Sequence, residues 1–223
     1  MMNKTTCVLA AALAFLAVPV RAEPKPVEAQ PAAGAASGAE EPNYRLTGAA
    51  YVYFVPEAAV YVQPTVRLDH HLLHLEARYN YEDRLTGSVW VGANAAGGDA
   101  VWWEFTAMVG GVFGRTNGLA PGFEAAVGWW RLELYSEGEY VLDFAEAADD
   151  FFFSWSELTL APVEWFRFGL LTQRTRIFSS GRVLERGLLA GFSWGPATLT
   201  LHLLNPDDSQ PVFIVALGAS FAR

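Results

Sequence analysis

The sequence predicts an all-β fold, a transmembrane up-and-down antiparallel β-barrel of about 12 strands. Three observations carry this. Short segments of alternating apolar and polar residues fill the chain from Tyr44 to Arg223. Glycine, proline and acidic turns separate them. A secretory leader precedes them, and no later stretch is apolar for long enough to be a spanning helix.

The segments follow in order. The first runs over 44–54 and stops at Val55–Ala58. The second, 59–68, ends at Asp69–His71, and the third, 72–81, at Glu82–Thr86. The fourth, 87–95, precedes Ala96–Asp99; the fifth, 100–113, precedes Gly114–Pro121. The sixth, 122–128, meets the pair Trp129-Trp130, and the seventh, 131–144, meets the acidic stretch Ala145–Asp150. The eighth and ninth, 151–160 and 165–176, are joined by Ala161–Glu164. The tenth, 184–193, is set between Ile177–Val183 and Trp194–Pro196. The eleventh and twelfth, 197–204 and 212–221, flank Asn205–Gln210. Five connections are tight and six are longer or polar, the parity that 12 strands require when both termini lie on one side.

Alternation separates two faces. In the third segment Leu73, Leu75, Ala77, Tyr79 and Tyr81 share one face, and Leu72, His74, Glu76, Arg78 and Asn80 the other. In the seventh, Leu132, Leu134, Tyr140, Leu142 and Phe144 oppose Arg131, Glu133, Tyr135, Glu137, Glu139 and Asp143. In the twelfth, Phe213, Val215, Leu217, Ala219 and Phe221 oppose Ile214, Ala216, Gly218 and Ser220. A soluble lipocalin-like barrel also alternates. Aromatics near the segment ends (Trp129-Trp130, Phe151–Phe153, Trp165-Phe166, Trp194) favour membrane girdles instead.

The chain divides into three parts. Residues 1–22 read as a signal peptide: Lys4 is the charged start, Cys7 to Val18 the apolar core, and cleavage falls near Ala22. Residues 23–43, rich in Pro, Ala, Gly and Glu, read as a flexible periplasmic tail. The barrel occupies 44–223. Cys7 is the single cysteine, so the mature chain has no disulfide and no cysteine metal site. Without Lys4 and Arg21, 13 basic residues face 24 acidic ones, a net charge of −11. That balance excludes a nucleic-acid partner.

The segments TGSVWVG (86–92), RLELYSEGEYV (131–141), SWSELT (154–159) and RGLLAGFSW (186–194) resemble those of small bacterial outer-membrane β-barrel proteins. The resemblance implies a fold, residence in the bacterial outer membrane, and contact with outer-membrane lipid and lipopolysaccharide. It also implies delivery by the barrel-assembly machinery, which in such proteins reads a terminal aromatic. Here Phe221 is followed by Ala222 and Arg223, a departure from that pattern. No particular activity follows from the resemblance.

Candidate functional residues are those on the polar face. The expected lumen lining is Arg67, His74, Glu76, Arg78, Glu104, Glu124, Arg131, Glu133, Glu137, Glu139, Glu157, Arg167 and Gln173. Glutamates outnumber arginines there, which points to a small, weakly cation-selective diffusion channel for small solutes. A plugged structural or interaction barrel is the alternative, since charges in a narrow lumen must be paired or solvated. A lipid hydrolase is a third reading. It needs a lipid-facing Ser–His pair; Ser154 and Ser156 suit the serine, and no histidine is placed beside them. The sequence His70-His71-x-x-His74 has a zinc-like spacing but spans a turn and a strand, so no metal and no cofactor are expected. His202 is expected in the lumen.

Overall fold

In a computed structural model, the structure describes residues 43–145, 150–177 and 181–223. The expected signal peptide, nearly all of the tail, and the centres of the Ala145–Asp150 and Ile177–Val183 loops lie outside the described residues. The described residues form 12 strands and no helix. They are β1 (Arg45–Phe54), β2 (Tyr61–His70), β3 (Leu73–Tyr79), β4 (Thr86–Gly98), β5 (Val101–Gly114) and β6 (Gly118–Trp129). The second half is β7 (Leu132–Asp143), β8 (Phe151–Val163), β9 (Phe166–Ile177), β10 (Gly181–Trp194), β11 (Ala197–Leu204) and β12 (Val212–Ala222).

Each strand pairs antiparallel with its sequence neighbours, and β1 pairs with β12 to close the barrel. Closure leaves no sheet edge with unpaired backbone groups. Tyr44 and Arg223 exchange two backbone hydrogen bonds at the seam, of 3.1 and 3.0 Å. Both ends of the described chain thus lie at one end of the barrel, here the terminal end. The five tight turns are at that end and the six longer connections at the opposite loop end, as the sequence parity requires.

The outer face is apolar over most of its height and circumference. Val66, Leu75, Val91, Val109, Leu134, Leu158 and Val127 are exposed along it. Trp103, Trp129, Trp130, Trp165 and Trp194 ring the terminal end, and Phe54, Tyr79, Phe113, Phe144 and Phe213 ring the loop end. A continuous apolar belt of this extent does not persist in contact with water. The opposite alternation points inward: Tyr51, Tyr53, Phe153, Trp155 and Ile214 fill the interior together with buried polar residues.

Of the boundaries that differ from the sequence expectation, three have a clear local reason. Tyr81 does not share the outer face of Leu75 and Tyr79. Asn80 takes φ 57°; its Nδ2 donates to the Val62 carbonyl at 2.9 Å and its Oδ1 accepts from the Leu85 N–H at 2.7 Å. The strand therefore ends at Tyr79, the alternation is broken, and Tyr81 turns inward to become buried. The sixth strand begins at Gly118 rather than at 122. Pro121 stands within it, keeps register with Val109 of β5, and interrupts pairing only on the β7 side, where its missing N–H would be needed. Arg131 precedes β7 instead of belonging to it, as the next subsection describes.

Candidate functional site

The inner wall gathers charged residues from strands that are not neighbours. Arg78 of β3 is the centre. Its Nε and Nη2 donate to the two oxygens of Glu76, each at 2.6 Å. Its Nη1 donates to Glu139 of β7 at 3.2 Å, and Nη2 lies 3.6 Å from Glu124 of β6. The guanidinium sits between two rings, 4.2 Å from the Tyr81 centroid and 4.6 Å from that of Trp90. Planar bidentate pairing and ring stacking are geometries that arginine satisfies and lysine does not. Since β3 and β7 are four strands apart in the barrel order, the Arg78–Glu139 bond is a chord across the lumen.

Other chords run beside it. Arg67 of β2 pairs with Glu124 of β6. Tyr81 donates to Glu137 of β7, which also accepts from Tyr135 at 2.8 Å. His74 Nδ1 lies 2.8 Å from Asp69, and Asp69 accepts from Asn94 at 2.8 Å. On the far wall Glu157 of β8 accepts from Trp155 at 3.3 Å, lies 3.2 Å from His202 of β11, and is 3.7 Å from Arg167 of β9. Arg167 also donates to Thr200 at 3.4 Å. A charge removed from water in this way is stable only when opposite charges and hydrogen bonds surround it.

The backbone makes room for this layer. The Trp90 indole lies against the wall over Gly110 and Gly122, and a Cβ on Gly110 would come within 2.4 Å of the indole. Its Nε1 donates to Ser88 at 2.9 Å. Gly110→Ala is expected to push Trp90 toward Arg78 and to destabilise the barrel by about 1–3 kcal/mol, as overpacking does. The near-ultraviolet tryptophan signal and the urea midpoint in detergent would report it; an unchanged signal and midpoint would contradict the niche.

The expected lining residues divide as follows. His74, Glu76, Arg78, Glu124, Glu137, Glu139, Glu157 and Gln173 are buried within the barrel, and Arg67, Glu133 and Arg167 are partly buried. Glu104 alternates with outer-face Trp103 and Phe105 but is exposed, near the terminal end of β5. Arg131 is the correction. It lies in the β6–β7 turn, exposed, with its guanidinium 5.6 Å from the Trp130 ring. The turn takes φ 56° at Trp130, so Arg131 is outside the strand alternation that the sequence reading applied to it.

Two other readings meet geometric obstacles. His74, Glu76 and Glu124 offer ligand atoms within 4.8 Å of one another. Arg67 and Arg78 already hold the same carboxylates, so a cation would have to displace two permanent positive charges. His70, at the end of β2, and His71, in the turn after it, are exposed, with their rings 4.5 Å apart, away from buried His74. Ser154 and Ser156 alternate with buried Trp155 and so lie on the outer face, where Ser156 and Ser136 share a 2.9 Å hydrogen bond. His202 is on the inner face. The wall separates the serines from that histidine.

The sequence reading missed Tyr81, Tyr51, Tyr53, Trp90 and Trp155 as inner-wall residues, and it placed Asp69 in a turn. Asp69 shares inward parity with Arg67, the signal that could have found it. No known protein family and no curated protein matches the chain by sequence. Solved structures match by fold. A KdgM porin superposes with TM-score 0.57 over 78% of this chain and 99% of its own, at 9% identity. The fold is a porin-type barrel. A KdgM porin in complex with disordered oligogalacturonate superposes with TM-score 0.53 over 79% and 99%, at 8% identity.

Proposed function

We propose that the chain is an integral protein of the bacterial outer membrane, exported with cleavage near Ala22, and that it is a narrow diffusion channel for small neutral or cationic solutes. The observation that carries this reading is the pairing of an apolar outer belt with a charged inner wall on a porin-type barrel. A purely architectural barrel could fill its interior with apolar packing alone. This one spends Arg67, Arg78 and Arg167 against Glu76, Glu124, Glu133, Glu137, Glu139 and Glu157. The excess of carboxylate disfavours a polyanion such as the oligogalacturonate of the similar porin complex, and it favours cations. Lipid surrounds the belt, the terminal end faces the periplasm and the loop end faces outward.

Planar-bilayer recording tests it. The expected result is small stepwise conductance with a modest cation preference that weakens as salt screens the lumen. Replacing Glu133, Glu137 and Glu139 together by Gln is expected to move the reversal potential toward anions. A second reading, a plugged structural barrel, is favoured by the chords from Arg78 to Glu139 and from Tyr81 to Glu137. A barrel that is heat-modifiable in detergent and inserts, yet shows no conductance step, would sink the channel and leave the plug.

A further inference from the structure

The outer face changes character at the loop end of β8–β10. Elsewhere at this height it is apolar, with Val62, Tyr79, Phe113, Leu119 and Phe213 exposed. Here Arg174 stands on the outer face of β9, flanked in register by Ser154 of β8 and Leu184 of β10. Arg174 is partly buried, its Nε is enclosed with no acceptor, and no described carboxylate pairs with it. Arg186 is exposed on the same face of β10, opposite Thr172, and engages only the rim residue Asp207 among described carboxylates. In the backbone register, positions 176 and 182 are partners one rung nearer the loop end than Arg174, at the same parity as Arg174 and Arg186.

Four of the 13 arginines thus hold one parity on a single hairpin. On β8, β9 and β10 no acidic residue holds that parity. Nearer the barrel middle the face returns to exposed Leu170, Leu188 and Phe168. Along the wall, two rungs that each set a guanidinium beside hydroxyls, Ser154–Arg174 and Thr172–Arg186, thus give way to a hydrocarbon rung of Leu158, Leu170 and Leu188. A guanidinium on a lipid-facing wall needs an anionic acceptor at the headgroup level, and a phosphate takes its paired N–H groups in the most favourable geometry.

We propose that the outer face of β8–β10 is a docking site for a phosphorylated glycolipid of the outer leaflet, lipopolysaccharide. Its phosphates meet Arg174 and Arg186, and its acyl chains lie on Leu170, Leu188 and Phe168. This inference rests on the outer-membrane reading above. It goes beyond general lipid contact by assigning the anionic headgroup to one sector of the wall.

Native mass spectrometry of the full barrel in detergent tests it, with phosphorylated lipid A and its dephosphorylated form as probes. The wild type is expected to retain the phosphorylated form selectively. Arg174→Gln with Arg186→Gln is expected to lower that retention roughly tenfold, as loss of charge-assisted contacts does. Arg84→Gln with Arg115→Gln removes the same charge from the loop end away from this face and is expected to leave retention unchanged. Equal retention of both lipids, or equal behaviour of the two double variants, would overturn the site. A wild type that is heat-modifiable and inserts but retains no lipid sinks the docking site alone. A wild type that forms no heat-modifiable barrel in detergent sinks the outer-membrane reading, and the site with it.

Discussion

Arg78→Leu is expected to be the most damaging single change on the inner wall. Removing the guanidinium leaves Glu76 without its bidentate partner and Glu139 without its cross-lumen donor. Both carboxylates are buried. Breaking a buried ion pair by deleting one partner costs about 3–5 kcal/mol, because the surviving charge is left unsolvated. The urea midpoint of the heat-modifiable form should fall accordingly, or the form should not be obtained at all. Two further variants separate charge from shape. Arg78→Lys keeps the charge but loses the fork and the stacking on Tyr81 and Trp90, so it should be intermediate. Adding Glu76→Gln to Arg78→Leu removes one stranded charge and should recover part of the loss. A midpoint unchanged in Arg78→Leu would mean that Arg78 does not hold this layer together.

The second large effect is expected on the outer wall and depends on depth. Val109 and Val101 lie on the outer face of the same strand, β5, the first near its middle and the second at its terminal-end edge. Val109→Arg places a charge in the centre of the apolar belt, which costs about 2–4 kcal/mol in a lipid-facing barrel wall. Val101→Arg sits at the Trp103 and Trp129 girdle, where the side chain can reach the interface, and should cost about 0–1 kcal/mol. Folding yield into lipid vesicles and the urea midpoint there would measure both. Equal effects would contradict a lipid-facing belt, because a water-facing wall has no such depth dependence.

The architecture was readable because a barrel wall writes its geometry into a period of two. Leu75 and Glu76 differ in environment only through that alternation, and the sequence separated them without knowledge of the partners. Parity of the connections then ordered the strands, since each pairs with its neighbours in the chain. What alternation cannot register is a residue at which the strand stops. Asn80 and Trp130 both take positive φ, and the residues beside them, Tyr81 and Arg131, were accordingly assigned to the wrong surroundings. Nor can alternation say which inward side chains meet. Arg78 finds Glu139 at a separation of 61 residues, fixed by barrel curvature and by the glycines under Trp90. The inward aromatics were missed because the polar face was followed by its charges, and Phe151 and Phe153, buried inside the barrel, were counted with a membrane girdle. Tyr51 and Tyr53 are in fact completely buried.

The seam between the first and last strands has a kinetic consequence. Eleven of the 12 strand pairings join neighbours in sequence and can form as local hairpins. The twelfth brings together Thr47 and Ser220, 173 residues apart, whose hydroxyls meet at 3.1 Å. Loop-closure entropy makes such a contact slow, and nothing forces it until the intervening sheet has curled. Until then β1 and β12 are the two open margins of a growing ribbon, each able to add a foreign strand. The time spent in that unclosed state, rather than the speed of hairpin formation, sets how exposed the chain is to mispairing before it seals.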